Sequence, residues 1–401
     1  MEQQSSTVTT TEYAADAIEL LARVIRYSAR RSSATSGTEH LVHVLLDDSE
    51  KPGSVLVPGL NKSTSVSGRI MAMDDKHWVH DDAFHGEPVA LDAPGEEDNR
   101  FEAEAAWREA LWLAEGKYAR KLPEGTVWPE RPSGALGEVL VGAVRLARAE
   151  GTYEVHGRHL ARAVLDVGDC RAVEAMTLCR VDLAASASAL DAQAQAMRDG
   201  GKPWWSEVDT NTGSLMMLRQ GGLLDERGKW WTRILMSMFS RGGDGSPLLR
   251  ILTQQAKSQA TRHGRDAAEP RDLLMAVLSL DRLLTLAKPS SPAEALRSVG
   301  SVADLLRAHG TDHVALVRAV VRDGQDADSP EQDETGLTAA SNRLLARTRL
   351  FAAERGASSI GAEHLLSVLL SDADGGCARL LRDNGVDLDG VRAGLDRLLG
   401  A

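Results

Sequence analysis

The stretch "KHWVHDDAFH" (76–85) holds the densest set of potential metal ligands in the chain. His77, His80, Asp81, Asp82 and His85 stand within nine positions, and His-x-x-His spacing with nearby carboxylates can complete a four-ligand zinc site. No cysteine or second ligand cluster accompanies it, and its surroundings read as a linker, so a solvated loop is the expected state. A second candidate, "PGLNKST" (58–64), approaches a phosphate-binding loop but has Asn61 where the second glycine belongs and no apolar strand before it. No G-x-S-x-G elbow and no Cys/His/Asn set offers nucleophilic catalysis. Catalytic residues, cofactors and an enzymatic activity are therefore not expected.

His40, His159 and His364 recur at one position of a repeated phrase, and Asp272 takes that position in a further copy. The copies are "GTEHLVHVLL" from Gly37, "HGRHLARAVL" from His156, "EPRDLLMAVL" from Glu269 and "GAEHLLSVLL" from Gly361. Each copy supplies one such side chain, whereas a metal or a reaction needs several converging on one point, so a structural role is expected. Five residues before each phrase stands Ser32, Gly151, Gly264 or Gly356, and four residues before that Ser28, Ala147, Ala260 or Ala352. This register marks a helix, a turn with a left-handed residue, and a second helix. Pro270 at the first position of its helix agrees, as do Glu39 and Glu363 in the first turn. Leu41, Val44 and Leu45 are then expected to face a core.

Composition frames the repeats. The 401 residues are rich in Ala, Leu and Arg, with 4% aromatics, which implies an all-α protein. The formal charge of −12 disfavours a nonspecific nucleic-acid binder. Three cysteines without a CxxC pair fit buried thiols, the polar N-terminus has no signal-peptide character, and no apolar run is long enough for a membrane span. The expectation is a cytoplasmic protein.

Each full unit should comprise about four short helices. The expected division is repeat 1 at 9–62 with a degenerate end, an insert at 63–98, repeat 2 with a tryptophan-bearing connecting helix at 99–192, and a linker at 193–206. Repeat 3 with its own connecting helix follows at 207–323, then a linker at 324–334 and repeat 4 at 335–401. Within the insert, "LDAPGEEDNR" reads as a flexible loop. "LWLAEGKYARKL" (111–122) resembles "LLDERGKWWTRIL" (223–235), and all eight tryptophans lie between the first and third phrases, where buried packing is the expected role.

The helix pair plus "ARLLRDNGVDLDGVR" closely resembles the Clp N-terminal (Clp repeat) domain that fronts Clp-family AAA+ unfoldases. Repeat 4 matches along nearly its whole length, repeats 1 and 3 in their first two helices, and repeat 2 is divergent. The resemblance implies two pseudo-twofold double-repeat domains, here without an ATPase motor. It also implies a ligand site with a hydroxyl at the start of helix 1 and a second group nearer that helix's end. The first position falls on Ala14, Ser133, Ser246 and Thr338, the second on Tyr27, Leu146, Gln259 and Phe351. With no carboxylate at the second position, phosphoarginine recognition is not expected, and Tyr27 and Phe351 would suit an apolar or aromatic ligand. Ordinary N-capping is the plainer account of the hydroxyls. The partners implied are protein or peptide ligands: Clp unfoldase components, their substrates and adaptors, or Clp-targeting cyclic peptides.

Overall fold

The computed structural model describes residues 12–47, 53–73, 78–79, 96–152, 154–198, 246–287, 294–323 and 336–400. Contacts divide the chain between Asp209 and Thr210 into two units, each with its own hydrophobic core. Both are built of helices, and the chain is all-α, with two short strands among the described residues.

Unit 1 contains two four-helix repeats. The first is α1 (Ala15–Arg30), α2 (Thr38–Leu46), α3 (Gly53–Leu56) and α4 (Leu60–Ala72); the second is α6 (Gly134–Ala149), α7 (Gly157–Val167), α8 (Arg171–Leu178) and α9 (Leu183–Arg198). Between them runs α5 (Glu96–Tyr118). Unit 2 repeats the pattern with α10 (Pro247–Arg262), α11 (Pro270–Ala287), α12 (Glu294–Ala308) and α13 (His313–Asp323). Its second repeat is α14 (Ala339–Glu354), α15 (Ala362–Leu369), α16 (Gly376–Asp383) and α17 (Leu388–Gly400).

Several expected boundaries shift. The division at 62/63 falls inside α4, whose Val66 and Ile70 reach the core and extend the repeat through Ala72. The stretch expected as a loop to Asn99 is helical from Glu96. Acidic residues in that first turn suit the positive helix end, and Glu96 and Asn99 are buried, held by Arg145. The linker expected from 193 is helical through Arg198. "PGLNKST" opens α4 rather than a phosphate loop: Lys62 Nζ donates to the Arg180 carbonyl and Ser63 to the Val57 carbonyl.

The repeats of unit 1 interlock by exchanging short extended segments. β1 (Glu12–Tyr13) pairs in parallel with β2 (Glu154–Val155), and Ala14 N–H donates to the Val155 carbonyl at 3.0 Å. Reciprocally, Ser133 N–H donates to the Ser36 carbonyl at 2.8 Å. Each repeat thus ties the start of its helix 1 to the start of the other's helix 2, which is the expected pseudo-twofold relation. In unit 2, Ala268 donates to the Gly336 carbonyl and accepts from Thr338 N–H, both at 3.1 Å. The phrase Leu41, Val44 and Leu45 lies in the core, at most 4% exposed. Among the tryptophans, Trp107 is buried and Trp78 and Trp128 pack partly buried on the core. Trp204, Trp205, Trp230 and Trp231 lie outside the described residues.

The residue closing helix 1 is left-handed in every repeat: Gly151, Gly264 and Gly356 have φ of 72°, 71° and 66°, and Ser32 has φ of 56°. Glycine adopts this conformation without a Cβ clash, while serine is strained there by about 1 kcal/mol. Ser32→Gly is expected to stabilise unit 1 by about that amount, less the extra chain entropy of glycine. Chemical denaturation followed by circular dichroism measures it, and a destabilised variant would contradict the assignment.

Candidate ligand-binding groove

The four signature side chains perform one task. Each lies three residues inside helix 2 and accepts the backbone N–H that would otherwise be orphaned at the helix start. Gly37 donates to His40 Nδ1 at 3.0 Å, His156 to His159 Nδ1 at 2.8 Å, Glu269 to Asp272 at 2.8 Å and Gly361 to His364 Nδ1 at 3.2 Å. Asp272 also takes both guanidinium arms of Arg265, at 2.8 and 2.6 Å, although burial pushes its carboxyl up to about 6. In the two phrases that begin with glycine, the following glutamate folds back over it. A Cβ on Gly37 would meet a Glu39 oxygen at 2.1 Å, and one on Gly361 a Glu363 oxygen at 2.2 Å. The phrase therefore builds a helix start.

Tyr27 and Phe351 belong to the same structural device. The Tyr27 ring lies 5.5 Å from His40 and 4.2 Å from His43, and Phe351 lies 6.2 Å from His364 with Arg355 over its ring. They do not join the hydroxyls in a pocket: Thr338 and Phe351 are thirteen residues apart across one helix, about 20 Å along its axis. The hydroxyls are N-caps. Ser133, Ser246 and Thr338 accept the N–H of Leu136, Leu249 and Ser341 at 3.2, 3.5 and 3.2 Å. Ala14, at the same place in repeat 1, has no cap side chain.

The metal candidates His77, His80, Asp81, Asp82 and His85 lie outside the described residues. Among the described residues no cluster of three or more His, Cys, Asp or Glu could hold a metal ion.

What the structure does build at a helix-1 start is a groove of about 610 Å³, where α5 crosses the first turns of α6. That volume falls in the range of small-ligand and peptide sites. Arg100, Ala103, Glu104, Trp107 and Arg108 form one wall, a single face of α5 by their i, i+3, i+4, i+7 and i+8 spacing. Gly137, Glu138, Leu140 and Val141 of α6 form the other, with capped Ser133 at one end. Trp107 is 4% exposed and anchored by its Nε1, which donates to the Glu130 carbonyl at 3.0 Å. Gly137 leaves space, since a Cβ there would meet nothing within 4 Å. Arg100 approaches Glu138 only to 3.7 Å, beyond hydrogen-bond range, and its Nε and Nη2 are enclosed without an acceptor. Donors held this way beside the positive end of α6 favour a ligand that brings an acceptor, and the apolar floor favours one that also brings an apolar group. A second hollow of about 110 Å³, lined by Arg31, Glu39, His40 and Trp78 among others, has room for a few waters only.

Sequence reasoning identified the connecting helix of this groove and the hydroxyl at its end, but not that the two meet. The signal was the one-faced spacing of Arg100, Glu104, Trp107 and Arg108.

Residues 336–401 match the family model of the Clp repeat (R) N-terminal domain. No curated protein and no solved structure matches the chain. No helix among the described residues is long and apolar enough to cross a membrane.

Because His40 must accept at Nδ1, its neutral form is the folded one. Burial, reinforced by Arg31 and Arg171, pushes its pKa down to about 3. In the unfolded chain it titrates near 6.5, so below that pH the unfolded state takes up a proton the folded state refuses. The stabilisation from neutral His40 is complete above about pH 6.5 and is lost towards pH 3, by at most about 1.4 kcal/mol per pH unit. His40→Asn, which keeps an acceptor, is expected to be the less stable protein at pH 7 and to lose less stability on acidification. Denaturation midpoints at pH 7 and pH 4.5 compare the two, and parallel pH profiles would refute the assignment.

Proposed function

We propose that the protein is a non-catalytic binding protein whose Clp repeat units engage ligands of a Clp AAA+ unfoldase. Those ligands are protein substrates, adaptors or Clp-targeting cyclic peptides, and binding them away from the motor modulates Clp-dependent proteolysis as a decoy. The observation that carries the reading is the α5–α6 groove. It is a half-open, part-apolar groove with unsatisfied Arg100 donors, set at a helix-1 start in a chain whose residues 336–401 match the Clp repeat model. Clp repeat domains mediate protein interaction, which supports protein or peptide partners. The acidic overall charge adds a bias towards cationic ligands at long range. A decoy removes ligand in proportion to its concentration and relative affinity, so its effect is dose-dependent.

In a reconstituted Clp unfoldase–protease assay with a fluorescent substrate, excess protein is expected to slow turnover. Gly137→Trp should relieve the inhibition, because the indole fills the groove from a position with free space. The variant also replaces a helical glycine and so should retain stability. Unchanged turnover at saturating protein would end the proposal. Faster turnover would assign the chain instead as an adaptor that docks on the Clp machinery and delivers substrates.

A further inference from the structure

Helix 1 of the first repeat and helix 1 of the fourth, equivalent by the repeat register, differ in what covers them among the described residues. In unit 1, α5 lies along α1 over a stripe formed by Ala15, Glu19, Ala22, Arg26 and Ala29, spaced four and three residues alternately. Ala22 is fully buried, Ala29 is 3% exposed, and α5 carries the buried small residues Ala103, Ala106, Ala110 and Ala114. Small residues at this heptad-like spacing let two helices approach closely. The end of the seam is locked by charge: Lys117 pairs with Glu19, Tyr118 Oη donates to Glu19 at 2.9 Å, and Arg26 sits 4.7 Å over the Tyr118 ring.

By the repeat register, α14 carries the same stripe as Ala339, Arg343, Ala346, Leu350 and Ala353. All five are exposed, Leu350 at 60%. The alanines are kept, while Glu19 has become Arg343 and Arg26 has become Leu350. We propose that this face of α14 is a docking surface for an alanine-rich helix of a partner protein that sets a carboxylate against Arg343 and an apolar side chain against Leu350. Unit 1 supplies the template for the occupant, since its own stripe is seen covered by such a helix. The charge reversal specifies how the occupant must differ from α5, because a lysine placed as Lys117 is would oppose Arg343. Residues 223–235, whose Lys229 aligns with Lys117, carry the wrong charge at that position. This surface is separate from the α5–α6 groove and does not depend on its function.

The test uses the full chain and two fluorescent synthetic peptides: residues 96–118 as they stand, and the same peptide with Lys117→Glu. The Lys117→Glu peptide is expected to bind the full chain about fivefold more tightly, the size of a partly exposed charge contact turned from repulsive to attractive. In the full-chain variant Arg343→Glu the preference should invert, and Ala346→Arg should abolish binding of both peptides to this face. Both substitutions are at exposed positions, and unchanged circular dichroism confirms the fold. Affinity indifferent to both variants would overturn the proposal. So would self-association that depends on Leu350, which makes the occupant a second copy. Tighter peptide binding on deletion of 223–235 would make the occupant the chain's own segment and would also refute it.

Discussion

The exchange of short parallel segments between paired repeats is the constraint on which unit 1 rests. The backbone before each helix 1 hydrogen-bonds to the backbone before the other repeat's helix 2, so neither repeat is complete alone. Helix starts leave unsatisfied N–H groups, and bringing the segments before all four helices together lets them satisfy one another and be capped in a small volume. His40 and His159 hold the helix-2 starts and Ser133 one helix-1 start. The helical faces below these starts carry the apolar residues of a single core.

In unit 1, α5 packs against both helix-1 elements, α1 and α6. The two contacts are uneven. Both α1 and α5 bury alanines, and Glu19 and Arg26 of α1 hold Lys117 and Tyr118 of α5. Against the start of α6 the larger side chains of Arg100, Trp107 and Arg108 hold the helices apart, and a groove remains. One inserted helix thus serves both as a structural cover and as a wall of the ligand site. Its attachment at the first turn is ionic, through Glu96 and Arg145, whose mutual pull lowers the glutamate's pKa and raises the arginine's.

The repeats show how one fold tolerates different chemistry at equivalent places. A neutral imidazole and a carboxylate both accept a backbone N–H, so Asp272 replaces histidine once Arg265 stands ready to offset its charge. Glu39 and Glu363 follow glycines because the carboxylate needs the room, whereas Arg158 and Arg271 follow the bulkier His156 and Glu269. Ser32 holds a glycine's conformation in the one repeat that lacks the glycine.

The sequence by itself determined the helical class, the four repeats, the core positions and the capping hydroxyls. These are local properties, written in periodicities of three to four residues and in the residue types that end helices. It misjudged the stretch after Lys62 and the one before Arg100, where polar residues read as linker. There, buried contacts with α6 and the core stabilise helices whose sequence signal is weak. Only the tertiary structure decided that Tyr27 packs against His40 and His43 and Phe351 against His364, and that Phe351 stands a helix length from Thr338. It alone placed α5 across α1 and α6. The contact that makes the groove joins residues more than twenty positions apart, through a docking that no local spacing encodes.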